Sequence, residues 1–117
     1  MTYQVAGEFA DHVHALALIE SNENPAAIGD DGRAFGILQT HPDFYDDWCC
    51  AQIGDDWPTA QIRAVGRFLA SYEPIIGLDL AVQAFHLGVD AVRRQGKRDA
   101  QYLVRFSEAL QKIRGTK

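Results

Sequence analysis

The chain has 117 residues, of which 47% are hydrophobic and 23% charged, and its formal net charge of −5 goes with a pI near 5.2. A chain of that length and composition fits one globular domain, able to bury about two-thirds of its unfolded surface without staples. The acidic balance argues against nucleic acid as the main partner, because phosphate binding needs clustered Lys and Arg, and no apolar run approaches the ~20 residues of a membrane span.

The first predicted element is a helix from Gly7 to Glu20, with Phe9, Val13, Leu16, Ala17 and Glu20 recurring at three- and four-residue spacing. The N-terminal stretch before and within it has no basic region, and acids and histidines interrupt its apolar pattern, so no signal peptide is expected. The run Ser21 to Pro25 ends the helix, since the residue before a proline avoids helical backbone and Asn favours turns. Asp30-Asp31-Gly32 is a turn signal. On either side of it, residues 27–29 and 34–39 read as a small hairpin or an ordered loop.

Four more helices follow. Pro42 opens one that passes Tyr45 and Trp48 to about Ile53, and Asp55 to Pro58 breaks it. Thr59 to Tyr72 carries Ile62, Val65, Phe68 and Leu69 on one face. Leu78 to Arg94 carries the stripe Ala81, Ala84, Phe85, Gly88 and Val92, and Asp99 caps a last helix through Ile113. The expectation is a mainly helical single domain spanning residues 1–117, with a minor β element.

Cys49 and Cys50 are the two cysteines. Adjacent residues seldom bridge, so buried free thiols are expected. His12 and His14 lie two apart on a helix and cannot face one metal, while Glu8 and His12 lack a third ligand, so neither metal nor cofactor is expected. Arg93, Arg94, Lys97 and Arg98 read either as a solvated helix end or as a patch for an anionic polymer. Asp43, Asp46 and Asp47 suit a helix start. Phe35, Tyr45, Trp48 and Trp57 are open to two readings, core or sugar stacking.

Glu20 shares its helix face with Val13, Leu16 and Ala17. A carboxylate on a buried face loses hydration, holds its proton and becomes the acid that glycosidic cleavage requires. Position alone leaves open a last-turn glutamate tipped into solvent. The loop that follows carries Gly29, Gly32 and Gly36, which permit close backbone approach to a ligand. Residues 34–39 offer strand-edge amides and the Gln39 side chain to sugar amides and hydroxyls.

These residues also carry a resemblance. Glu20-Ser21, Asn24-Pro25 and the run Gly29-Asp30-Asp31-Gly32-Arg33-Ala34-Phe35-Gly36-Ile37-Leu38-Gln39 resemble the lytic transglycosylase and lysozyme-like superfamily, with a phage- or invertebrate-type active loop. His41 to Asp47 is similar to the family's continuation, Ala84 to Gly88 to its Ala-Tyr-Asn-x-Gly block, and Tyr102-Leu103-Val104 to a Tyr-Val step in its final helix. The resemblance implies a lysozyme-like fold, a peptidoglycan strand as substrate, and Glu20 as acid and then base. It implies Ser21, Phe35, Gly36, Gln39, Phe85, His86 and Tyr102 as substrate supports. Phe85-His86 stands where the family has Tyr-Asn, so His86 either supplies the missing hydrogen bond to a sugar N-acetyl group or is a satisfied core residue.

Two mechanisms follow. A transglycosylase needs Glu20 alone. A hydrolase needs a second carboxylate about 5 to 9.5 Å away, for which Asp30 and Asp31 are the candidates. A third reading is a non-catalytic module that binds wall glycan or forms part of a virion or secretion machine. With no signal peptide expected, an enzyme of this kind reaches the wall from the cytoplasm through another component.

Overall fold

The structure is a computed structural model that describes residues 2–116. A 3₁₀ segment, Tyr3–Phe9, leads into α1, Ala10–Ser21. The expected continuous helix from Gly7 is interrupted because Gly7 takes φ 62°, ψ −130°, a conformation open to glycine, and regular α-helix begins only after Phe9. Asn22 then closes α1 in the left-handed region, its N–H reaching the Ala17 and Leu18 carbonyls.

A two-stranded antiparallel hairpin follows, β1 (Ile28–Gly29) and β2 (Ala34–Phe35), in which Ile28 faces Phe35 and Gly29 faces Ala34. Its turn holds Asp30, Asp31 and Gly32 at φ 51°, 56° and 87°, which Asp and Gly tolerate best. The expected strand to Gln39 stops at Phe35. Gly36 turns the chain at φ 78°, and Thr40 comes back to exchange both backbone hydrogen bonds with Phe35.

Helix α2, Pro42–Trp48, is shorter than expected. Cys49 leaves it in extended backbone (ψ 127°), so Cys49 and Cys50 are exposed rather than buried, and Ile53 is wholly solvent-facing. Helix α3, Trp57–Ile76, is longer than expected at both ends. The Asp56 side chain accepts the Thr59 N–H, Pro58 fits the first turn, and the helix continues past Pro74 to Gly77. The expected helix from Leu78 to Arg94 is two, α4 (Leu78–Leu87) and α5 (Val89–Arg93), because Gly88 at φ 98°, ψ 146° breaks it. Helix α6, Ala100–Gly115, starts at Asp99 as expected, with the Asp99 carboxylate accepting the Tyr102 N–H.

One cluster of buried side chains joins these elements. Val13, Leu16 and Ala17 of α1 meet Ile62, Val65, Phe68 and Leu69 of α3, Ala81 and Val82 of α4, and Tyr102, Phe106 and Ile113 of α6. Ile37 and Leu38, fully buried, anchor the segment after the hairpin to the same core. No helix among the described residues is long and apolar enough to cross a membrane.

Candidate active site

The periodicity of α1 carries Glu20 to the edge of the core, one turn beyond the buried Leu16 and Ala17. Its carboxyl group is largely withdrawn from water, and that desolvation pushes its pKa upward. The Tyr102 hydroxyl opposes the shift by donating to Glu20 Oε2 at 2.8 Å, as do the charges of His86 and Arg105, while the charge of Asp30 adds to it. Burial is the largest of these effects, so the proton is held above the ordinary glutamate range.

Tyr102 is itself built in from two sides. It lies in the first turn of α6 and is buried, and its own hydroxyl is driven to a higher pKa by desolvation and by the Glu20 charge. The His86 ring stacks on it at 3.8 Å with the planes 1° apart. His86 Nε2 lies 2.9 Å from Asp99 Oδ2. The Tyr102 N–H first, and then His86, lower the Asp99 pKa. An ionised carboxylate only accepts, so Nε2 carries the proton that it donates to Asp99.

Two residues with no expected role hold this arrangement. Gln83 is buried on α4 and forms a two-point clamp: its Nε2 donates to the Asp99 carbonyl and its Oε1 accepts the Asp99 N–H, each at 2.9 Å. Arg105 Nη2 donates to the Ile19 carbonyl at 2.9 Å, tying α6 to the last turn of α1 beside Glu20. The one sequence signal for Gln83 is a polar side chain among Ala81, Val82 and Ala84 on a buried face.

The hairpin reaches α1 through Ser21, whose Oγ donates to the Ile37 carbonyl at 2.7 Å and accepts the Asn24 N–H at 3.1 Å. These bonds make Ser21 a tie between helix end and loop. Gln39 is turned inward, its Nε2 donating to the Ala27 and Gly36 carbonyls at 3.1 and 2.9 Å. The strand-edge amides expected to face a ligand are also spent internally, Gly36 N–H on Ala27 and Phe35 N–H on Thr40. Gly36 is needed for a second reason, since a side chain there would collide with the Gln61 amide.

Asp30 Oδ2 lies 2.8 Å from His41 Nε2, and Asp31 is exposed. Phe85 packs against Phe44 at 5.4 Å and Phe68 at 6.3 Å between ring centroids. Trp48 belongs to the same aromatic cluster, edge-on to Phe68 and Tyr72. Tyr45, Trp57 and Phe35 instead line a groove of about 360 Å³ together with Thr40, Pro42 and Asp46. A hydrogen bond with Tyr45 lowers the pKa of the exposed Cys49 thiol and pushes the phenol up to about 12. Among the described residues no three His, Cys, Asp or Glu side chains gather as a metal site.

No protein-family model, curated protein or solved structure matches this chain.

Proposed function

We propose that this protein is a lysozyme-like enzyme that cleaves peptidoglycan, acting as a lytic transglycosylase on the β-1,4 bond between N-acetylmuramic acid and N-acetylglucosamine. The observation that carries the reading is the desolvated Glu20 carboxyl at the end of α1, held by the Tyr102 hydroxyl beside a hairpin tied to the same helix end. Protonated Glu20 donates its proton to the glycosidic oxygen as the C1–O4 bond breaks. The resulting carboxylate takes the proton of the muramyl 6-hydroxyl, whose oxygen closes on C1. The product is a 1,6-anhydro sugar, and Glu20 ends as it began. Tyr102 acts on this cycle by fixing the carboxyl rotamer and moderating its basicity.

The test is mass spectrometry of soluble fragments released from purified peptidoglycan, wild type beside Glu20→Gln. Fragments ending in 1,6-anhydromuramic acid are expected, with the variant slower by about 10²-fold or more. Full activity in Glu20→Gln would end the proposal, and so would the absence of any fragments from the wild type across a range of pH and wall types.

A hydrolase reading has one observation in its favour, the charge of Asp30, which adds to the rise of the Glu20 pKa. It predicts reducing-end fragments and a severe loss in Asp30→Asn.

A further inference from the structure

The end of α2 carries a cluster of groups that the chemistry at Glu20 does not use. Tyr45 and Cys49 lie four residues apart, so the last turn of α2 brings both side chains to one face. The Cys49 N–H closes that turn on the Tyr45 carbonyl at 2.7 Å, and the Tyr45 hydroxyl donates to the Cys49 sulfur. The Ala51 N–H is a second donor, and the charge of Arg67 acts in the same direction, with slight desolvation and the Asp46 charge opposing. Donors and a cation stabilise the thiolate, the form of cysteine that attacks. The sulfur is also open to solvent.

Beside it lies a groove of about 350 Å³, lined in part by Cys50, Gln52, Arg63 and Arg67. Gly66 of α3 shapes its floor. A Cβ there would meet the Ala6 side chain at 2.8 Å, so the bare glycine lets the N-terminal segment lie against the helix. The two arginines differ. Arg63 is committed to Asp55 through Nε at 2.7 Å and Nη2 at 3.3 Å. Arg67 is exposed and forms no ion pair with a carboxylate among the described residues. Its guanidinium lies over the Trp48 ring at 5.7 Å, and its Nη1 reaches the Trp48 carbonyl at 3.5 Å. One cation thus acts on the Cys49 sulfur and lines the groove of Cys50.

These features narrow the reactant. In a chain of net charge −5, an exposed cation without a carboxylate favours an anionic ligand. A stabilised thiolate beside it selects a ligand with a bond that sulfur can attack. The adjacent cysteine is a poor partner for Cys49, because consecutive Cα atoms lie about 3.8 Å apart and an unstrained disulfide needs ~4.4 Å or more. An external disulfide meets no such obstacle.

We propose that Cys49 is a site of reversible thiol–disulfide exchange with a small carboxylate-bearing disulfide of the glutathione class, whose protein-bound half lies in the groove with a carboxylate on Arg67. The Cys49 thiolate attacks one sulfur of the disulfide, a new S–S bond forms and the old one breaks. The electron pair of the broken bond leaves with the other half as a thiolate, which takes up the proton that Cys49 gave to solvent. Cys49 is oxidised, the departing half is reduced, and excess thiol runs the step backwards.

The test is incubation of the full chain with glutathione disulfide, followed over time by intact-mass and peptide-level mass spectrometry. One glutathionyl group is expected on Cys49, removed by dithiothreitol, retained in Cys50→Ser and absent from Cys49→Ser at the same time point. Arg67→Ala is expected to slow the reaction about fivefold and Arg67→Lys to restore most of the rate, whereas the uncharged hydroxyethyl disulfide is slowed by a smaller factor. Circular dichroism checks that each variant is folded. Labelling of Cys50 alone, a Cys49–Cys50 disulfide as the main product, or equal slowing of both reagents in Arg67→Ala would overturn the proposal. The absence of any adduct overturns it as well. None of these outcomes bears on cleavage at Glu20, which the peptidoglycan digestion reports separately.

Discussion

Glu20 and Tyr102 form the pair on which the proposed chemistry turns, and their coupling has a definite sign. The Tyr102 hydroxyl stabilises the charged carboxylate, so its removal lets burial act unopposed. Tyr102→Phe is therefore expected to raise the Glu20 pKa further and to move the alkaline fall of activity to higher pH. A pH–rate profile of the two proteins checks this, and a shift to lower pH would contradict it. The same sign applies to stability: folded Glu20 binds its proton more tightly than unfolded Glu20. Its contribution is complete below the ordinary glutamate range and is lost as pH rises through the folded value. At this scale helical spacing put Glu20 on the face of Val13, Leu16 and Ala17 but left open a glutamate tipped into solvent, because its burial depends on Tyr102, 82 residues away. The roles of Ser21 and Gln39 were not readable, since both depend on carbonyls of Ile37, Ala27 and Gly36, whose positions only the folded loop defines.

Helix α6 owes its placement to a backbone clamp, and that makes a prediction about the element as a whole. Gln83 supplies both partners of the Asp99 peptide groups, which set the start of α6 three residues before Tyr102. Gln83→Leu keeps the volume but strands an N–H and a C=O, and is expected to cost about 2 kcal/mol, measurable as a lowered denaturation midpoint. It should also loosen Tyr102 and lower the turnover number more than it changes KM. A boundary was legible where a local device was recognised, as with Asp99 at the start of α6, whereas Asp56, read as part of a break, caps an α3 that begins two residues before the expected start. Boundaries were missed where backbone conformation decides, as at Gly7, Cys49 and Gly88. Phe85 was grouped with His86 because both stand in the Ala84 to Gly88 block that carries the resemblance. On a helix adjacent residues point about 100° apart, so Phe85 entered the aromatic cluster while His86 stacked on Tyr102.

For the molecule as a whole, a net charge of −5 opposes the approach of the anionic wall polymer proposed as its substrate. Added salt shortens the range of that repulsion, so raising ionic strength from about 0.01 to 0.15 M is expected to increase the rate of peptidoglycan digestion at low substrate. A basic wall enzyme would respond in the opposite direction, and an unchanged rate would show that the net charge has no part in the encounter. The mainly helical class was readable from periodicity, and so was the place of the hairpin. The meeting of α1 with α6 was not, since no local pattern records which helices pack together.

That meeting has a consequence for the nascent chain. The hydrogen bond between Glu20 and Tyr102 spans 82 residues of sequence. Nothing between Ala10 and Ser21 can by itself withdraw the carboxyl group from water. A chain in which α1 has formed but α6 has not yet docked lacks the Tyr102 contact, and its Glu20 is open to water on that side. The carboxyl group therefore gains its full burial only when α6 docks against the end of α1.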